Sequence, residues 1–191
     1  MGYHESLTEG RNAVLEAFRS GKTVDRLFVL DGCQDGPVKT ILREAKKQDT
    51  MVQYVKKERL DQLSETKNHQ GVIAYCAACE YAEVSDILEN AKKKGEAPFI
   101  VLLDGIEDPH NLGAIIRTAN QAGAHGVIIP KRRAVGLTAT VARTSAGAVN
   151  YTPVAKVTNL VTVMEDLKKE GMWFVCADMD GEEMYSLNLK G

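Results

Sequence analysis

The chain has 191 residues, a formal net charge of −2, 44% hydrophobic residues and 26% charged residues. This composition is typical of soluble globular domains and excludes a fibrous or intrinsically disordered chain. The length allows one large or two small domains. Because the net charge is small, any nucleic-acid site must be a local basic patch rather than a property of the whole surface.

The first residues, MGYHESLTEGRNAV, lack a basic region followed by an apolar run, and no stretch approaches the ~18 apolar residues of a membrane span. We therefore expect a cytoplasmic protein without a membrane partner. The four cysteines are too few and scattered for a disulfide scaffold. Cys76 and Cys79 form a CxxC pair without a second ligand pair, so we interpret them as small buried residues and expect no metal.

The first half of the chain alternates helical and strand-like patterns. GRNAVLEAFRSG, VKTILREAKKQ and KERLDQLSE have helical spacing, whereas DRLFVL, MVQYV and GVIAYC are β-prone. These segments predict a small α/β domain over residues 1–79. Residues 80–97 contain an amphipathic pattern that closes with three lysines and Gly95, which predicts a linker helix before the boundary at Pro98.

The second half, residues 98–191, also alternates. FIVLLDGI is apolar on both faces and predicts a central parallel strand. A helix, the strand GVIIP, a basic turn, a stretch of small residues (TATVARTSAGAV), the strand YTPVAKV, the helix NLVTVMEDLKKEG and the strand MWFVCADM follow. This order predicts a doubly wound parallel sheet.

The helix after the first of these strands, in DPHNLGAIIRTANQAG, carries the most informative polar residues. Asn111 stands where helical spacing begins and is interpreted as an N-cap. Arg117 lies off the apolar stripe, on the face of Gly113, and a glycine in a first helical turn suggests that another group approaches the backbone closely. The spacing leaves two interpretations open: a solvated arginine, or an anion site at the carboxyl end of a parallel strand. No GxGxxG or P-loop is present.

The segment LLDGIEDPHNLGAIIRTANQAGAHGVIIP, with TSAGA after it, closely resembles the first signature of the SpoU/TrmH family of RNA 2′-O-ribose methyltransferases. EGRNAVLEAF and NHQGVIA are similar to the L30e-like substrate-binding domain of the ribosomal-RNA branch of that family. The resemblance implies a small L30e-like α/β domain followed by a SPOUT-type α/β domain with a parallel sheet, truncated before its trefoil knot is completed.

The resemblance further implies a homodimer that transfers a methyl group from S-adenosylmethionine to a ribose 2′-hydroxyl of a 23S ribosomal RNA guanosine. The active-site Asn and Arg of the family signature correspond to Asn111 and Arg117. Family proposals let the Arg assist deprotonation of the hydroxyl. Because a guanidinium hardly ever gives up its proton, we expect Arg117 to hold a phosphate and orient the hydroxyl.

Two further groups of residues are candidates. Gly113, Ser145 and Gly147 match positions beside the family's active site, although residues 145–148 are equally consistent with a simple tight turn. Lys131, Arg132, Arg133 and Arg143 are candidate contacts to RNA phosphates, or else solvated side chains.

The family's second signature, a Gly-Glu-Gly loop, and its third, with Ile-Pro-Met and Ser-Leu-Asn, form most of the donor pocket. Neither is present, and Ser186, Leu187 and Asn188 match the last only by chance, because no Ile-Pro-Met precedes them. We therefore expect the chain alone to lack a complete S-adenosylmethionine site. Two alternatives stay open: a non-catalytic RNA-binding module, and an enzyme for a phosphorylated small molecule.

Overall fold

The chain folds into two β-sheets that follow one another in sequence. The structure, a computed structural model, describes residues 6–187. The first sheet has the order β1-β4-β2-β3, in which β2 and β3 are parallel and β4 is antiparallel to both of its neighbours. Its strands are β1 (Ser6–Glu9), β2 (Val24–Leu30), β3 (Met51–Val55) and β4 (Val72–Cys76), and its helices are α1 (Arg11–Arg19), α2 (Gly36–Lys47) and α3 (Lys57–Leu63).

The helices of this half pack their apolar sides on both faces of the first sheet. The apolar sides of α1 and α2 pack on one face, where Val14, Ile41 and Leu27 are fully buried. On the other face, Leu60 of α3 packs with Phe28 of β2. The predicted helices and strands of this half are confirmed; β1, only four residues long, was not predicted.

The second sheet is parallel and has the order β5-β6-β7. All five residues of β6 are buried, whereas β5 is half-buried and has one neighbour within residues 6–187. The segment 99–106 was therefore wrongly predicted as the central strand, since β6 has that place. The strands are β5 (Ile100–Leu102), β6 (Gly126–Pro130) and β7 (Val154–Val157), and the helices are α4 (Val84–Lys94), α5 (Pro109–Gln121), α6 (Ala139–Thr144) and α7 (Leu160–Lys169).

Helices cover both faces of the second sheet. On one face Ile87 of α4 and Leu167 of α7 pack against Ile128 of β6. On the other face Ile116 of α5 packs with Val127 of the same strand. The predicted α/β class with a parallel sheet is confirmed, while the trefoil knot and the domain boundaries stay predictions. The helix predicted as a linker packs directly on this second sheet.

The predicted strand MWFVCADM is not formed. Met172 and Phe174 are half-buried against the layer of α4 and α7, whereas Trp173 and Val175 are more than half exposed. The side chains thus alternate as in a strand. However, no strand among residues 6–187 pairs with this segment, and a strand needs backbone partners that an alternating pattern cannot supply.

The segment between β4 and α4 connects the two sheets through backbone hydrogen bonds. The amide of Ala77 donates to Thr23 of the first half at 2.9 Å, and that of Ala78 donates to Leu137 of the second half at 2.7 Å. Ala82 then forms a parallel bridge with Ala155 of β7. Among residues 6–187, no helix is long and apolar enough to cross a membrane.

Candidate functional site

The first turn of α5 is capped by Asp108 rather than by Asn111. The Asp108 carboxylate accepts a hydrogen bond from the amide of His110 at 2.7 Å, and Pro109 occupies the first helical position, where its missing N–H costs nothing. The predicted N-cap role of Asn111 is therefore wrong. Asn111 lies within the first turn, and its side chain is exposed and available to a ligand.

Gly113 is the point at which α5 and α6 touch. A Cβ atom added to Gly113 would lie 1.9 Å from Oγ1 of Thr144 and 3.0 Å from the amide nitrogen of Ser145. The predicted close approach to the Gly113 backbone is confirmed, but the approaching group is α6. Gly113 is buried, so it cannot line an open groove beside Arg117.

Asn111 and Arg117 both lie on the exposed side of α5. Helix geometry places them about 9 Å apart along the axis and about 120° apart around it. Arg117 forms no hydrogen bond or ion pair with any residue in the described range 6–187. Asn120, one turn further on, instead accepts a hydrogen bond from the Thr152 hydroxyl at 3.0 Å. Arg117 is thus an exposed cation with no partner among these residues.

The loops at the carboxyl ends of β5 and β6 meet beside α5. The amide of Val135, in the loop after β6, donates a hydrogen bond to the carbonyl of Ile106, in the loop after β5, at 2.9 Å. The carboxyl edge of a parallel sheet is where open α/β folds bind their ligands. The exposed face of α5 begins at this edge.

The turn after α6 is tight. Ala146 and Gly147 have φ values of 51° and 85°, and the amide of Ala148 closes the turn on the carbonyl of Ser145 at 3.0 Å. Ser145 is fully buried, and its hydroxyl donates to the carbonyl of Ala142 at 2.9 Å. This turn sets the end of α6 against α5. A direct role of Ser145 and Gly147 in the active site stays a prediction.

Three of the four predicted RNA contacts lie in the loop after β6, and the fourth lies on α6. Lys131 is half-buried and pairs with Asp49 of the first half at 2.5 Å; its ammonium group holds the pKa of the Asp49 carboxyl below its usual value. Arg132 and Arg133 are exposed in the loop after β6. Arg143 lies on α6 and donates to the hydroxyl of Thr140 at 3.2 Å.

A polar cluster between the two halves was not predicted. The Asp25 carboxylate of β2 accepts hydrogen bonds from the Tyr81 hydroxyl at 2.9 Å and from the Lys156 ammonium of β7. The Tyr81 hydroxyl in turn accepts from the amide of Leu137 at 2.8 Å. Burial, together with the negative charge of Asp25, raises the pKa of Tyr81 well above 10. Two features of the sequence could have indicated this cluster: Asp25 is the single acidic residue of the apolar strand β2, and Lys156 is the single lysine of the apolar strand β7.

Beside this cluster lies a cleft of about 260 Å³ between the two halves of the chain. A second cavity, about 330 Å³, is formed by residues 20–23 and 77–80. Neither is lined by a residue of α5. Within residues 6–187, no group of His, Cys, Asp and Glu side chains is arranged to hold a metal ion.

The cysteines of the CxxC pair occupy a strand end. Cys76, the last residue of β4, is buried in the first core. Cys79 is half-buried, and burial raises the pKa of its thiol. A raised thiol pKa disfavours the thiolate that metal binding and redox chemistry need. The two residues fit their interpretation as small packing residues.

Sequence comparisons give matches over both halves. Residues 7–82 match the RNA 2′-O ribose methyltransferase substrate-binding family, and residues 98–191 match the SpoU rRNA methylase family. A Bacillus subtilis protein, YacO, assigned to the TrmH family of tRNA/rRNA methyltransferases is 48% identical over 174 residues, which cover 91% of this chain and 70% of that protein. A Staphylococcus saprophyticus protein assigned to the same family is 43% identical over 181 residues, covering 95% and 72%.

Solved structures of methyltransferases are more distant. A TrmH-family protein from Porphyromonas gingivalis aligns with a TM-score of 0.48 and 22% identity over 96% of this chain and 66% of that one. The SpoU methyltransferase AviRb from Streptomyces viridochromogenes, in complex with AdoMet, aligns with a TM-score of 0.42 and 23% identity. This chain covers 59% of AviRb, less than two thirds of its length.

Proposed function

Because the chain belongs to the SpoU/TrmH family of RNA methyltransferases, we propose that the protein carrying it methylates a ribose 2′-hydroxyl of 23S ribosomal RNA, at a guanosine, with S-adenosylmethionine as the methyl donor. We place this homodimeric enzyme in the cytoplasm. One observation carries the proposal: the matched methylase segment contains α5, whose exposed side presents Asn111 and Arg117 at the carboxyl edge of the parallel sheet.

The chemistry needs a positioned hydroxyl. A ribose 2′-hydroxyl is a weak nucleophile near neutral pH, while a sulfonium-bound methyl group supplies a strong electrophile when the donor is present. The residues of this chain must therefore orient the hydroxyl so that its oxygen can attack the methyl group, and solvent water takes up the hydroxyl proton. The Arg117 guanidinium presents a planar fork of N–H donors, so it holds a phosphate next to the reacting ribose. The Asn111 amide can both donate and accept a hydrogen bond, and it orients the hydroxyl.

The fold supports this positioning because α5 is fixed at its start. Asp108 caps the helix, and Gly113 allows α6 to pack within contact distance of the first turn. Positioning groups work best on rigid elements whose own supports are packed. Asn111 and Arg117 thus extend from a rigid helix into solvent, where an RNA backbone can reach them.

We predict that Arg117→Ala lowers methyl transfer about 100-fold or more, because positioning alone contributes several kcal/mol to such reactions. The melting temperature should stay at the wild-type value, since Arg117 bonds to no residue in the described part of the chain. The measurement is transfer of radiolabelled methyl from S-adenosylmethionine to an unmodified large-subunit ribosomal RNA transcript by the protein that carries this chain. Alkaline hydrolysis then locates the label, because a 2′-O-methylated nucleotide resists cleavage.

Arg19→Ala provides the matched control, because Arg19 is also an exposed helical arginine but lies at the end of α1. Its turnover should equal that of the wild type. Near-wild-type turnover of Arg117→Ala would remove Arg117 from the mechanism. Label in alkali-sensitive nucleotides would show base methylation and overturn the 2′-O assignment.

A further inference from the structure

The cleft between the two halves has one wall built on the first sheet. The strand register places Tyr75 of β4, Arg26 of β2 and Met51 of β3 side by side in one row across three strands. Side chains directly opposite on neighbouring strands point to the same face of a sheet. Arg59 of α3 completes this wall. An aromatic ring, a thioether and two guanidinium groups thus line one side of the cleft.

The opposite wall comes from the second half. The loop after β6 contributes Lys131 and residues 134–136, and β7 contributes Lys156. The Asp25, Tyr81 and Lys156 cluster lies at the junction of the walls and connects them through hydrogen bonds. The volume of the cleft, about 260 Å³, lies just below the ~300–1,000 Å³ of typical small-ligand sites. The space suits one nucleotide rather than a helix or a duplex.

The charged side chains that line the cleft are mostly basic, although the formal charge of the whole chain is negative. Four basic side chains and a single carboxylate line it. That carboxylate, Asp25, already accepts bonds from Lys156 and Tyr81. Neither Arg26 nor Arg59 forms an ion pair with any residue that the structure describes, and both are exposed. Two arginines without an acidic partner in the described range therefore face a cleft in a chain whose formal charge is −2.

The apolar part of the cleft includes two aromatic rings, those of Phe28 and Tyr75. Tyr75 is half-buried and packs edge-on against Phe28, with ring centroids 5.8 Å apart and an angle of 71° between the ring planes. Unpaired RNA bases are recognised by stacking on aromatic side chains or on arginine guanidinium planes, while arginines and lysines hold the phosphates. The row of Tyr75, Arg26 and Met51 offers both kinds of contact.

We propose that this cleft binds one unpaired nucleotide of the RNA substrate, with its base stacked on Tyr75 and its phosphates on Arg26, Arg59 and Lys131. The inference rests on the proposed function and deepens it, because it adds a second RNA contact away from the candidate active-site helix. Both halves of the chain hold the same nucleotide. RNA bound in the cleft thereby fixes how the first half presents the substrate to α5.

The test compares two double variants that remove the same charge. Arg26→Ala with Arg59→Ala removes the two arginines of the cleft, and Arg19→Ala with Arg43→Ala removes two exposed arginines from α1 and α2. The probe is a fluorescein-labelled, unmodified transcript of large-subunit ribosomal RNA, and anisotropy is measured over a series of salt concentrations. We expect the cleft variant to bind about 10- to 100-fold more weakly. The slope of the logarithm of its binding constant against the logarithm of salt concentration should become shallower by about 0.7 for each phosphate that the protein no longer neutralises. The control variant should follow the wild-type curve.

Photocrosslinking gives an independent measurement on the wild-type protein. A transcript that contains 5-iodouridine in its unpaired segments should crosslink to the peptide that carries Tyr75. If the two double variants bind RNA equally well, or if crosslinks form only outside the cleft, the cleft proposal is overturned while RNA methylation still stands. If the wild-type protein binds no RNA, the proposed function itself falls together with the cleft.

Discussion

Glu9, at the end of β1, holds the segment that leads from α3 to β4. Its carboxylate accepts hydrogen bonds from the Ser64 hydroxyl, from the amides of Glu65 and Thr66 at 2.8 and 3.2 Å, and from the Thr66 hydroxyl at 2.9 Å. Burial by itself would raise the pKa of Glu9, but these hydrogen bonds together outweigh it and lower the pKa below 4.5. One side chain thus fixes a loop that is more than fifty residues away in sequence.

We predict that Glu9→Gln removes part of the acid sensitivity of the fold. A carboxyl whose pKa is lowered in the folded state stabilises the fold above its unfolded pKa, and this contribution is lost as the pH falls through the folded value. The wild type should therefore lose stability below about pH 4.5, whereas Glu9→Gln should show a flatter profile there. At neutral pH the variant should be less stable by about 1.5–3 kcal/mol, because hydrogen bonds to a charged acceptor are lost.

Urea unfolding at a series of pH values measures both effects. Glu16→Gln is a suitable control, since Glu16 is exposed on α1 and its side chain forms no ion pair within the described residues. Its profile should coincide with that of the wild type. A Glu9→Gln profile that ran parallel to the wild-type curve through the acid range would refute the assigned role.

At the scale of elements, the contact of α5 with α6 decides where the candidate site lies. Gly113 leaves room for Thr144, so the end of α6 packs against the first turn of α5. The hydroxyl of Thr144 also points to the carbonyl of Pro109 at 3.4 Å. Any side chain at position 113 must push the two helices apart. The orientation of Asn111, two residues earlier, depends on this contact.

We predict that Gly113→Ala destabilises the fold by about 1–3 kcal/mol through overpacking, and lowers RNA methylation more than RNA binding. Its Cβ would lie 1.9 Å from the Thr144 hydroxyl, and combining it with Thr144→Ala should recover part of the stability. Gly36→Ala is the matched control: Gly36 is also in a first helical turn, but a Cβ there meets nothing within 4 Å. Denaturant unfolding provides the measurement. If Gly113→Ala had the same free energy of unfolding as Gly36→Ala, the two helices could move apart without loss of stability, and the prediction would be wrong.

Periodicity was sufficient to predict most elements, because the buried faces of helices such as α2 and α7 repeat with the helical period. It failed where strand pairing decides the structure. The exposure of residues 172–175 alternates, but the predicted strand 172–179 has no partner strand within the described range, and the central position of β6 depends on its neighbours. The N-cap prediction failed because Asp108 and Pro109 form a stronger start three residues before Asn111. Periodicity describes one segment at a time, so it cannot show which segments meet.

The same limit applies to the sites. Asn111 and Arg117 were predicted as site residues because a local signature contains both. Asp25 and Lys156 are 131 residues apart, and Arg26 meets Lys131 in one cleft only after both halves have folded. A charged residue in an otherwise apolar strand is the single sequence signal for such a contact. Its partner becomes known only from the structure.

At the scale of the whole molecule, the mostly buried cluster around Asp25 is one of the contacts that hold the two halves together. Asp25 and Lys156 are 13% and 14% exposed, and the Lys156 ammonium also lies 5.0 Å from the centroid of the Tyr81 ring. Gly136 makes this contact possible, because a Cβ there would lie 2.3 Å from the Asp25 carboxylate. The cluster therefore joins a strand from each half, the connecting segment and the loop after β6.

We predict that Lys156→Met destabilises the protein by about 2–3 kcal/mol, because the mostly buried Asp25 charge then keeps one side-chain donor among the described residues, the Tyr81 hydroxyl. Fully buried pairs lose about 3–5 kcal/mol. Adding Asp25→Asn should recover part of this loss, since the uncompensated charge then disappears.

Lys168→Met is the control, because Lys168 pairs with Glu165 at 2.9 Å on the surface, where such pairs contribute at most about 1 kcal/mol. Thermal unfolding followed by calorimetry measures the effect. Since the cluster is one of the contacts that couple the two halves, Lys156→Met should also separate a single transition into two. A single transition at the wild-type temperature would mean that the hydrogen bonds of residues 77–82 hold the halves together without it.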